Sequence, residues 1–335
     1  MTSASPGPPA AEPAITQRYL IHGVPVTLTS DPLVAAALQA RLGAFPRATG
    51  AASALTITYT TVAGPARHLV TLPAQPARAV YESTLGEVLY VDATDQLFIR
   101  CGERVRLCYD PGAGQALVSV VQPGEADLWL LTHPLLTLTL MEVLKRHGRY
   151  SLHAAGLALG EQALLFPGAS GAGKSTLTLA LLRAGFGLMG DDLLFLADGA
   201  AAPRVLAFPE PVDITDETIA LLPELRDLHA APRAHGWPKR QLYAHERYGA
   251  RIVWECRPAA LIFPRVSGAR RSVLTSLDRR QAFVDLAPGL LLTEPASARR
   301  YLQAMAALVG VTPCYRLETG SDLAEVATLL RDLSA

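Results

Sequence analysis

Two patterns of hydrophobic and polar positions divide the chain, and the change between them comes near residue 150. Before that point, short apolar runs are separated by turn residues such as Gly23, Asp92 and Gly102, which is typical of β-strands joined by tight turns. This spacing predicts an antiparallel, β-rich N-terminal domain over residues 15–150, preceded by a disordered, Pro/Ala-rich tail at residues 1–14. The apolar runs cover residues 19–21, 24–28, 55–59, 88–91, 97–99, 105–108 and 117–121.

Two helices are expected inside this first part of the chain. One covers residues 32–42 and is N-capped by Asp31, and the other covers residues 134–146 and ends before Gly148, the kind of residue that commonly follows a helix end. The most apolar stretch, residues 128–144, is interrupted by polar residues and a proline. It is too short and too polar for a membrane span, so we expect a buried helix there.

The second part of the chain predicts an α/β domain over residues 151–335. Two buried strands at residues 153–159 and 163–166 lead into a glycine-rich loop, a helix at residues 174–184 and a further strand at residues 186–189. Strand, loop, helix and strand in this order are typical of an α/β fold. The remaining predicted elements are strands at residues 252–254 and 260–263 and amphipathic helices at residues 295–308 and 322–333.

One long segment, residues 203–248, has no clear pattern. It is polar and rich in proline, and it is longer than most connections inside a domain. We therefore expect an irregular, mobile substrate loop here, in which Lys239 and Arg240 would contact a phosphorylated or acidic part of the substrate.

Composition and charge exclude several classes of function. Thirty basic residues balance thirty acidic ones in 335 residues, so no whole-chain field favours nucleic acid or an anionic membrane as a partner. The four cysteines form no CxxC pair and no zinc-binding spacing. The first residues carry no secretory signal pattern. We expect reduced, structural cysteines and a cytoplasmic protein.

The glycine-rich loop carries the clearest chemical motif. The sequence Gly168-Ala-Ser-Gly-Ala-Gly173-Lys174-Ser175 matches GxxxxGK[ST] in full, and its context of strand before and helix after is the one the motif requires. Backbone N–H groups would cradle a nucleotide's phosphates, and the helix would direct its positive end at them. Lys174 would reach the β- and γ-phosphates, while Ser175 would bind Mg²⁺.

The predicted nucleotide contacts cover the whole loop and the start of its helix. They are Gly168, Ser170, Gly171, Ala172, Gly173, Lys174, Ser175 and Thr176.

The pair Asp191-Asp192 limits the class of phosphate-loop protein. The chain has no asparagine, which rules out the guanine-reading Asn-Lys-x-Asp loop and the catalytic-loop asparagine of eukaryotic-type kinases. One carboxylate of the pair can join Ser175 in holding Mg²⁺, and the other can accept a proton from an attacking hydroxyl. We assign Asp191 as the base and Asp192 as the metal ligand, and the reverse order is left open.

The sequence around the glycine-rich loop and the aspartate pair resembles a known family. The run from His153-Ala-Ala-Gly through Lys174-Ser-Thr to Gly190-Asp191-Asp192 is similar to the catalytic domain of HPr kinase/phosphorylase. It is more similar still to HPr-kinase-related proteins found with peptide-biosynthesis genes. The resemblance is close over residues 151–196 only. It implies a P-loop fold shared with phosphoenolpyruvate carboxykinase, and an ATP- and Mg²⁺-dependent kinase acting on a serine of a small protein or peptide.

The resemblance also implies roles for residues outside the loop. His153 stands where the family has a histidine that could reach a phosphate oxygen. Glu255-Cys-Arg257 resembles a family Glu-x-Arg whose side chains lie near the phosphates. The sequence departs from the family pattern in two places. Thr176 replaces the glutamate usual in bifunctional members, which counts against phosphorylase activity. Residues 15–150 do not resemble the family's N-terminal domain, which counts against HPr as the substrate.

The main hypothesis is therefore an ATP-dependent serine kinase of proteins or peptides. Two alternatives stay open: a nucleotide-binding regulatory or assembly module with little phosphotransfer, and a small-molecule phosphotransferase. The sequence does not identify the acceptor, and whether the chain forms a homo-oligomer is also left open.

Overall fold

The structure, a computed structural model, describes residues 14–50, 52–74, 76–83, 85–197, 202–231, 233 and 239–334. The chain divides into two compact units, Met1–Leu135 and Leu136–Ala335. The division falls inside a helical stretch that we expected to close the N-terminal region. The predicted tail lies outside the described residues, apart from residue 14. The functional roles of the two units stay predictions.

The first unit is built on an eight-stranded sheet in the order β1-β2-β3-β8-β7-β6-β5-β4. Apolar side chains alternate along its inner strands, so that in β7 every second residue is buried, as expected for a sheet with one covered face. Its strands are β1 (Ile15–Ile21), β2 (Val24–Ser30), β3 (Leu55–Val62), β4 (Arg78–Ser83), β5 (Gly86–Val91), β6 (Gln96–Cys101), β7 (Val105–Asp110) and β8 (Gln115–Val121).

The expectation of a purely antiparallel sheet is wrong at β3. This strand runs parallel to β2 and to β8. The reason is the helix α1 (Pro32–Leu42), which returns the chain to the same end of the sheet before β3 starts, as a crossover connection does. The helix itself is confirmed: the Asp31 carboxylate accepts a hydrogen bond from the Val34 backbone N–H at 2.9 Å.

The apolar stretch after the sheet is helical. It comprises α2 (Glu125–Leu130), a π-type segment Leu131–Leu135 that contains Pro134, and α3 (Leu136–Arg146). By length and composition Asp127–Arg146 could cross a membrane, but 56% of its most apolar window is buried inside the protein. A core helix passes the same test of length and composition.

The second unit is a mixed α/β structure with a nine-stranded sheet. Its strands are β9 (Arg149–Leu152), β10 (Ala154–Leu159), β11 (Gln162–Pro167), β12 (Gly187–Gly190), β13 (Leu194–Ala197), β14 (Arg204–Ala207), β17 (Glu255–Val266), β18 (Val273–Ser276) and β19 (Cys314–Thr319), and β15 (Val212–Ile214) and β16 (Arg240–Leu242) form a separate ribbon. Its further helices are α4 (Lys174–Arg183), α5 (Asp216–Leu221), α6 (Ala244–Arg247), α7 (Arg279–Leu286), α8 (Pro295–Val311) and α9 (Leu323–Arg331).

Strand directions in this sheet bring several chain ends to one edge. β11 runs parallel to β17, and β17 runs parallel to β19. β10 lies antiparallel between β11 and β12. The carboxyl ends of β11, β12, β17 and β19 and the start of β10 therefore share one edge, which is where α/β sheets commonly bind ligands.

Two hydrophobic cores cover the two faces of the sheet. Leu164 and Phe166 of β11 belong to the core that includes α4 and α9. Leu165 belongs to the core on the opposite face, with Tyr301 and Met305 of α8. This alternation follows the two-residue period of a strand, and it fixes β11 firmly at the centre of the unit.

The expectation of an irregular loop at residues 203–248 is wrong for the part of that segment that is described, and its mobility stays a prediction. Short elements follow one another there, and Ile214, Ile219, Leu222 and Leu225 are fully buried in the core that covers α4. The elements are three to eight residues long, too short to produce a periodic pattern that sequence reading detects.

Candidate functional site: the phosphate loop and two aspartates

The glycine-rich loop at residues 168–173, called the phosphate loop after its predicted role, joins the buried end of β11 to the start of α4. Gly171 and Gly173 have φ angles of 84° and 95°, which side-chain-bearing residues rarely adopt. A Cβ on Gly168 would come within 3.1 Å of the Ala172 Cβ. Ser170 is exposed at the turn. The first N–H groups of α4 lack partners within the helix by geometry, so this end of the helix can receive an anion.

Lys174 is almost completely buried, with 7% of its side chain exposed. Its ammonium donates a hydrogen bond to the carbonyl oxygen of Gly168 at 2.6 Å. The same nitrogen lies 3.3 Å from Nε2 of His153 and 3.4 Å from Oδ1 of Asp192. Lys174 is therefore at the centre of the site and joins the loop to both neighbouring side chains.

Asp191 is the buried member of the aspartate pair, with 4% exposure. Its Oδ2 accepts a hydrogen bond from the Ser175 hydroxyl at 2.7 Å. Its Oδ1 is buried and makes no hydrogen bond of ordinary geometry with the described residues. Burial raises the pKa of Asp191 to about 6, although the Thr178 and Ser175 hydroxyls act in the opposite direction.

Asp192 is the exposed member of the pair, with 59% of its side chain accessible to solvent. Its Oδ2 lies 3.6 Å from Nδ1 of His153, whose side chain is 43% exposed. Partial burial lowers the pKa of His153, Asp192 opposes that change, and Lys174 adds to it. A neutral ring can therefore donate from Nδ1 towards Asp192 and accept from Lys174 at Nε2.

Two further groups extend the site. The Thr176 hydroxyl lies 3.1 Å from the hydroxyl of Thr218, which ties the start of α4 to α5. Gly289 packs against His153 so closely that a Cβ there would come within 3.0 Å of the His153 Cβ. Sequence reading missed Gly289 because nothing in its local pattern indicates a contact with a residue so distant in the chain.

The structure does not bring Glu255 and Arg257 to the loop. Arg257 is paired with Gln162, at the start of β11, whereas the loop follows the end of that strand at Pro167. At roughly 3.3 Å per residue, the two ends of β11 are about 16 Å apart. Glu255 instead forms an ion pair with Arg204 at 2.9 Å. The expectation that these two side chains lie near the phosphates is wrong, because β17 runs parallel to β11 and starts at the opposite edge.

Arg240 and Lys239 occupy different surroundings from those expected. Arg240 is buried, with 8% exposure, and its guanidinium binds Asp216 at 2.5 Å and the carbonyl oxygen of His229 at 2.9 Å. Its donors are used in holding β16 to α5, so a substrate role for Arg240 finds no support. Lys239 is partly buried just before β16, and its substrate role stays a prediction.

A magnesium ion fits the Ser175–Asp191 end of the site. The buried Oδ1 of Asp191, which makes no hydrogen bond of ordinary geometry, is an available carboxylate oxygen, and hydroxyl and carboxylate oxygens suit Mg²⁺. Among the described residues, no group of three or more His, Cys, Asp or Glu side chains is arranged to hold a metal ion. That is compatible with Mg²⁺, which commonly takes one or two protein ligands and completes its shell with water and substrate phosphates.

The four cysteines are free thiols. Burial raises the pKa of Cys101, Cys108 and Cys256 to about 11, so they are poor nucleophiles near neutral pH. None of the four belongs to the site described above.

Comparisons with known proteins find similarity among solved structures only at a distance. No protein-family model matches the chain, and a search of curated proteins finds no significant match. Among solved structures, the chain is similar to the Hpr(Ser) kinase/phosphatase from Coxiella burnetii, with 14% sequence identity and a TM-score of 0.31. The match covers 54% of this chain and 94% of that chain. At this distance it carries no functional conclusion for the present chain.

Proposed function

We propose that the chain is an ATP-dependent kinase in which residues 168–175 hold the phosphates and Asp192 accepts the proton of a serine hydroxyl. The observation that carries this proposal is the division of the aspartate pair into two environments. Asp191 is buried against Ser175, whereas Asp192 is exposed beside the Lys174 ammonium. Two neighbouring carboxylates in different surroundings can take two different roles in one reaction.

Phosphate binding is the role of the loop, of Lys174 and of the start of α4. In the free protein the Lys174 ammonium is bound to the carbonyl oxygen of Gly168. A bound triphosphate would offer its β- and γ-oxygens to the same ammonium. The backbone N–H groups at the start of α4 would supply further donors, because the positive end of the helix favours anions.

Ser175 and Asp191 are the residues that would hold Mg²⁺. The ion, when bound, would neutralise negative charge that develops on the β- and γ-phosphate oxygens. This assignment reverses the role order inferred from the sequence, in which Asp192 was the metal ligand. The reversal follows from the hydrogen bond between Ser175 and Asp191 and from the burial of Asp191.

The transfer step assigns the proton to Asp192. The serine oxygen of the acceptor attacks the γ-phosphorus, the bond from that phosphorus to the β,γ-bridging oxygen breaks, and ADP leaves. The hydroxyl proton moves to the Asp192 carboxylate. His153, at 3.6 Å from Asp192 and 3.3 Å from Lys174, orients both groups. The exposure of Asp192 leaves its carboxylate accessible from solvent.

The test measures binding and transfer separately. Calorimetric titration with Mg²⁺ and a non-hydrolysable ATP analogue should give tight binding in the wild type and a loss of at least about 10²-fold in Lys174→Ala, comparable with the loss of a strong charge-assisted contact. Arg257→Ala is the matched control, since it removes a cation from the opposite sheet edge and should bind as the wild type does.

Transfer is then assayed with ATP and an array of serine-containing peptides, with phosphoserine detected by mass spectrometry. Phosphoserine formed by the wild type and lost in Asp192→Asn supports the kinase. ATP binding without transfer to any peptide, to the chain itself or to small alcohols would instead support a nucleotide-binding regulatory module. Equal affinity in the wild type and Lys174→Ala would contradict the phosphate-loop assignment itself.

A further inference from the structure

The loop at residues 267–272 lies at the same sheet edge as the phosphate loop. It follows β17, and the phosphate loop follows β11, and these strands are parallel neighbours with Leu165 opposite Leu261. Loops that follow adjacent parallel strands line one crevice. The loop at residues 267–272 is therefore the immediate neighbour of the phosphate loop, on the side away from β10 and β12.

Alternate residues at the end of β17 face the phosphate loop. The Pro264 ring lies 3.8 Å from the position that a Cβ on Gly168 would occupy. The Val266 Cγ2 lies 3.2 Å from the corresponding position on Gly173. Val266 is nevertheless 64% exposed. An exposed apolar side chain that touches a phosphate loop offers a surface for an apolar part of the ligand.

The loop is held in place by its neighbour at residues 319–322. The backbone N–H groups of Ser321 and Asp322 donate to the carbonyl oxygens of Ala269 and Arg270 at 3.0 Å each. The Ser267 N–H donates to the carbonyl oxygen of Thr319 at 2.9 Å. These bonds fix the loop and direct these polar groups towards the protein rather than towards the crevice.

Gly320 and Arg271 complete this attachment. A Cβ on Gly320 would overlap the carbonyl oxygen of Arg270, so the two loops are in close backbone contact. The Arg271 guanidinium binds Glu325 at 2.8 Å. The loop is therefore held rigidly against its neighbour, and the exposed Val266 lies directly before it.

The orientation of the nucleotide in the site follows from the residues on the side of the phosphate loop that faces away from Val266. His153, Asp191 and Asp192 are carried by β10 and β12, and the strand order is β12-β10-β11-β17. The γ-phosphate must lie beside Lys174 and Asp192 for transfer to occur. The nucleoside then leaves the loop on the other flank, where Val266 lies.

We infer that Val266 and residues 267–272 form the nucleoside subsite, in which Val266 packs against the ribose and base of the triphosphate. This inference rests on the proposed nucleotide-binding function. The Ser267 N–H and the carbonyl oxygens of Ala269 and Arg270 are used within the protein, and the group that touches the phosphate loop is the Val266 side chain, so the contact with the base is apolar and discriminates little between adenine and guanine. The ligand class is accordingly a nucleoside triphosphate.

The test compares ATP with inorganic tripolyphosphate, which carries the phosphates but no nucleoside. Both affinities are measured by calorimetry with Mg²⁺ in the wild type, Val266→Ser and Val273→Ser. Val273 is the matched control, since it is a valine on the far side of the same loop with 55% exposure. Val266→Ser should weaken ATP about 5-fold, as expected for the loss of a modest apolar contact, and leave tripolyphosphate unchanged. Val273→Ser should change neither affinity, and wild-type affinities for ATP and GTP should agree within about 3-fold.

Three results would overturn the inference. The first is an unchanged ATP affinity in Val266→Ser. The second is an equal loss of affinity for ATP and for tripolyphosphate in that variant, which would make Val266 a support of the phosphate loop only. The third is a strong preference of the wild type for one purine. Failure of the proposed function gives a different result. In that case wild-type tripolyphosphate binding is absent or does not depend on Lys174, as Lys174→Ala would reveal.

Discussion

The hydroxyl of Ser175 donates a hydrogen bond of 2.7 Å to Asp191, across sixteen residues of sequence. Ser175 belongs to the first turn of α4, and Asp191 directly follows β12. The bond thus joins the phosphate loop to the only strand end that carries two adjacent carboxylates at this edge of the described structure. It also leaves Asp192, the next residue, as the carboxylate of the pair that solvent can reach.

Asp192→Asn should slow phosphoryl transfer strongly while ATP still binds. The change removes the exposed proton acceptor but neither the loop nor the Ser175–Asp191 pair, so we expect transfer to fall about 10²–10⁴-fold, the usual contribution of a general base. Asp191→Asn should instead weaken the dependence of nucleotide affinity on Mg²⁺. Single-turnover transfer and calorimetry at several Mg²⁺ concentrations separate the two effects. A nearly silent Asp192→Asn together with an inactive Asp191→Asn would restore the role order that the sequence suggested.

The contribution of Asp191 to the stability of the metal-free protein should fall as pH rises from about 4 to about 6. Asp191 has a pKa of about 6 in the folded protein and about 3.9 in an unfolded chain. At this site the folded state therefore binds more protons than the unfolded chain in this range, and the stability that Asp191 contributes decreases with pH until it is ionised. The expected loss is about 3 kcal/mol for a shift of about two pKa units.

Urea titrations in EDTA at several pH values check this prediction. The free energy of unfolding of Asp191→Asn, which has no ionisable group there, serves as the reference at each pH. As pH rises, the free energy of unfolding of the wild type should decrease relative to that of Asp191→Asn. A difference that is constant from pH 4 to pH 7 would contradict a raised pKa for Asp191.

The sequence was sufficient for the parts of the site that are local in the chain. The strand, loop and helix around Lys174 lie where their pattern predicts them, because glycine spacing and helix periodicity are local signals. The β-rich first unit was also predicted, because short apolar runs between turn residues are a local signal too. Its parallel strand β3 was not, since strand direction depends on the path of the intervening helix.

The remaining parts of the site depend on strand order, which local patterns do not encode. Glu255 and Arg257 were expected near the phosphates from their motif alone, but the register of β17 against β11 places them at the other edge. The same register brings Val266 to Gly173. The order of roles in the aspartate pair also needed burial, which two adjacent identical residues do not reveal in sequence.

Gly289→Ala should disturb His153 without disturbing the phosphate loop. The new Cβ would lie 3.0 Å from the His153 Cβ, tighter than an ordinary contact, so the imidazole must move by a few tenths of an ångström. We expect transfer to fall about 3- to 10-fold, since small displacements of positioned groups are costly, with ATP affinity nearly unchanged.

Gly310→Ala is the matched control for this change, because a Cβ there meets nothing within 4 Å. The imidazole resonances of His153 in NMR spectra, and their titration, should change in Gly289→Ala only. Normal transfer with an unchanged His153 titration would mean that the segment around Gly289 yields freely and does not position the ring.

Lys145→Met should destabilise the protein strongly and slow transfer as well. Lys145 and Glu142 are a buried ion pair at 2.7 Å, with 1% and 0% of their side chains exposed. The Lys145 ammonium also binds the carbonyl oxygen of Leu291 and the hydroxyl of Thr293. The pair therefore fastens α3 to the segment that follows Gly289 and so supports the contact of Gly289 with His153.

Removing one partner leaves the Glu142 carboxylate buried with less compensation, which typically costs about 3–5 kcal/mol. Arg146 still binds Glu142 at 2.8 Å, so we expect the lower end of that range. The double variant Glu142→Leu/Lys145→Met removes both charges and should recover part of the loss. Arg300→Met, an exposed change on α8, should stay within about 0.5 kcal/mol. Urea unfolding gives the stabilities, and transfer assays well below the unfolding midpoint separate the two roles. A stable but slow double variant would show that the ion pair positions the segment beside His153, whereas a fully active one would limit its role to stability.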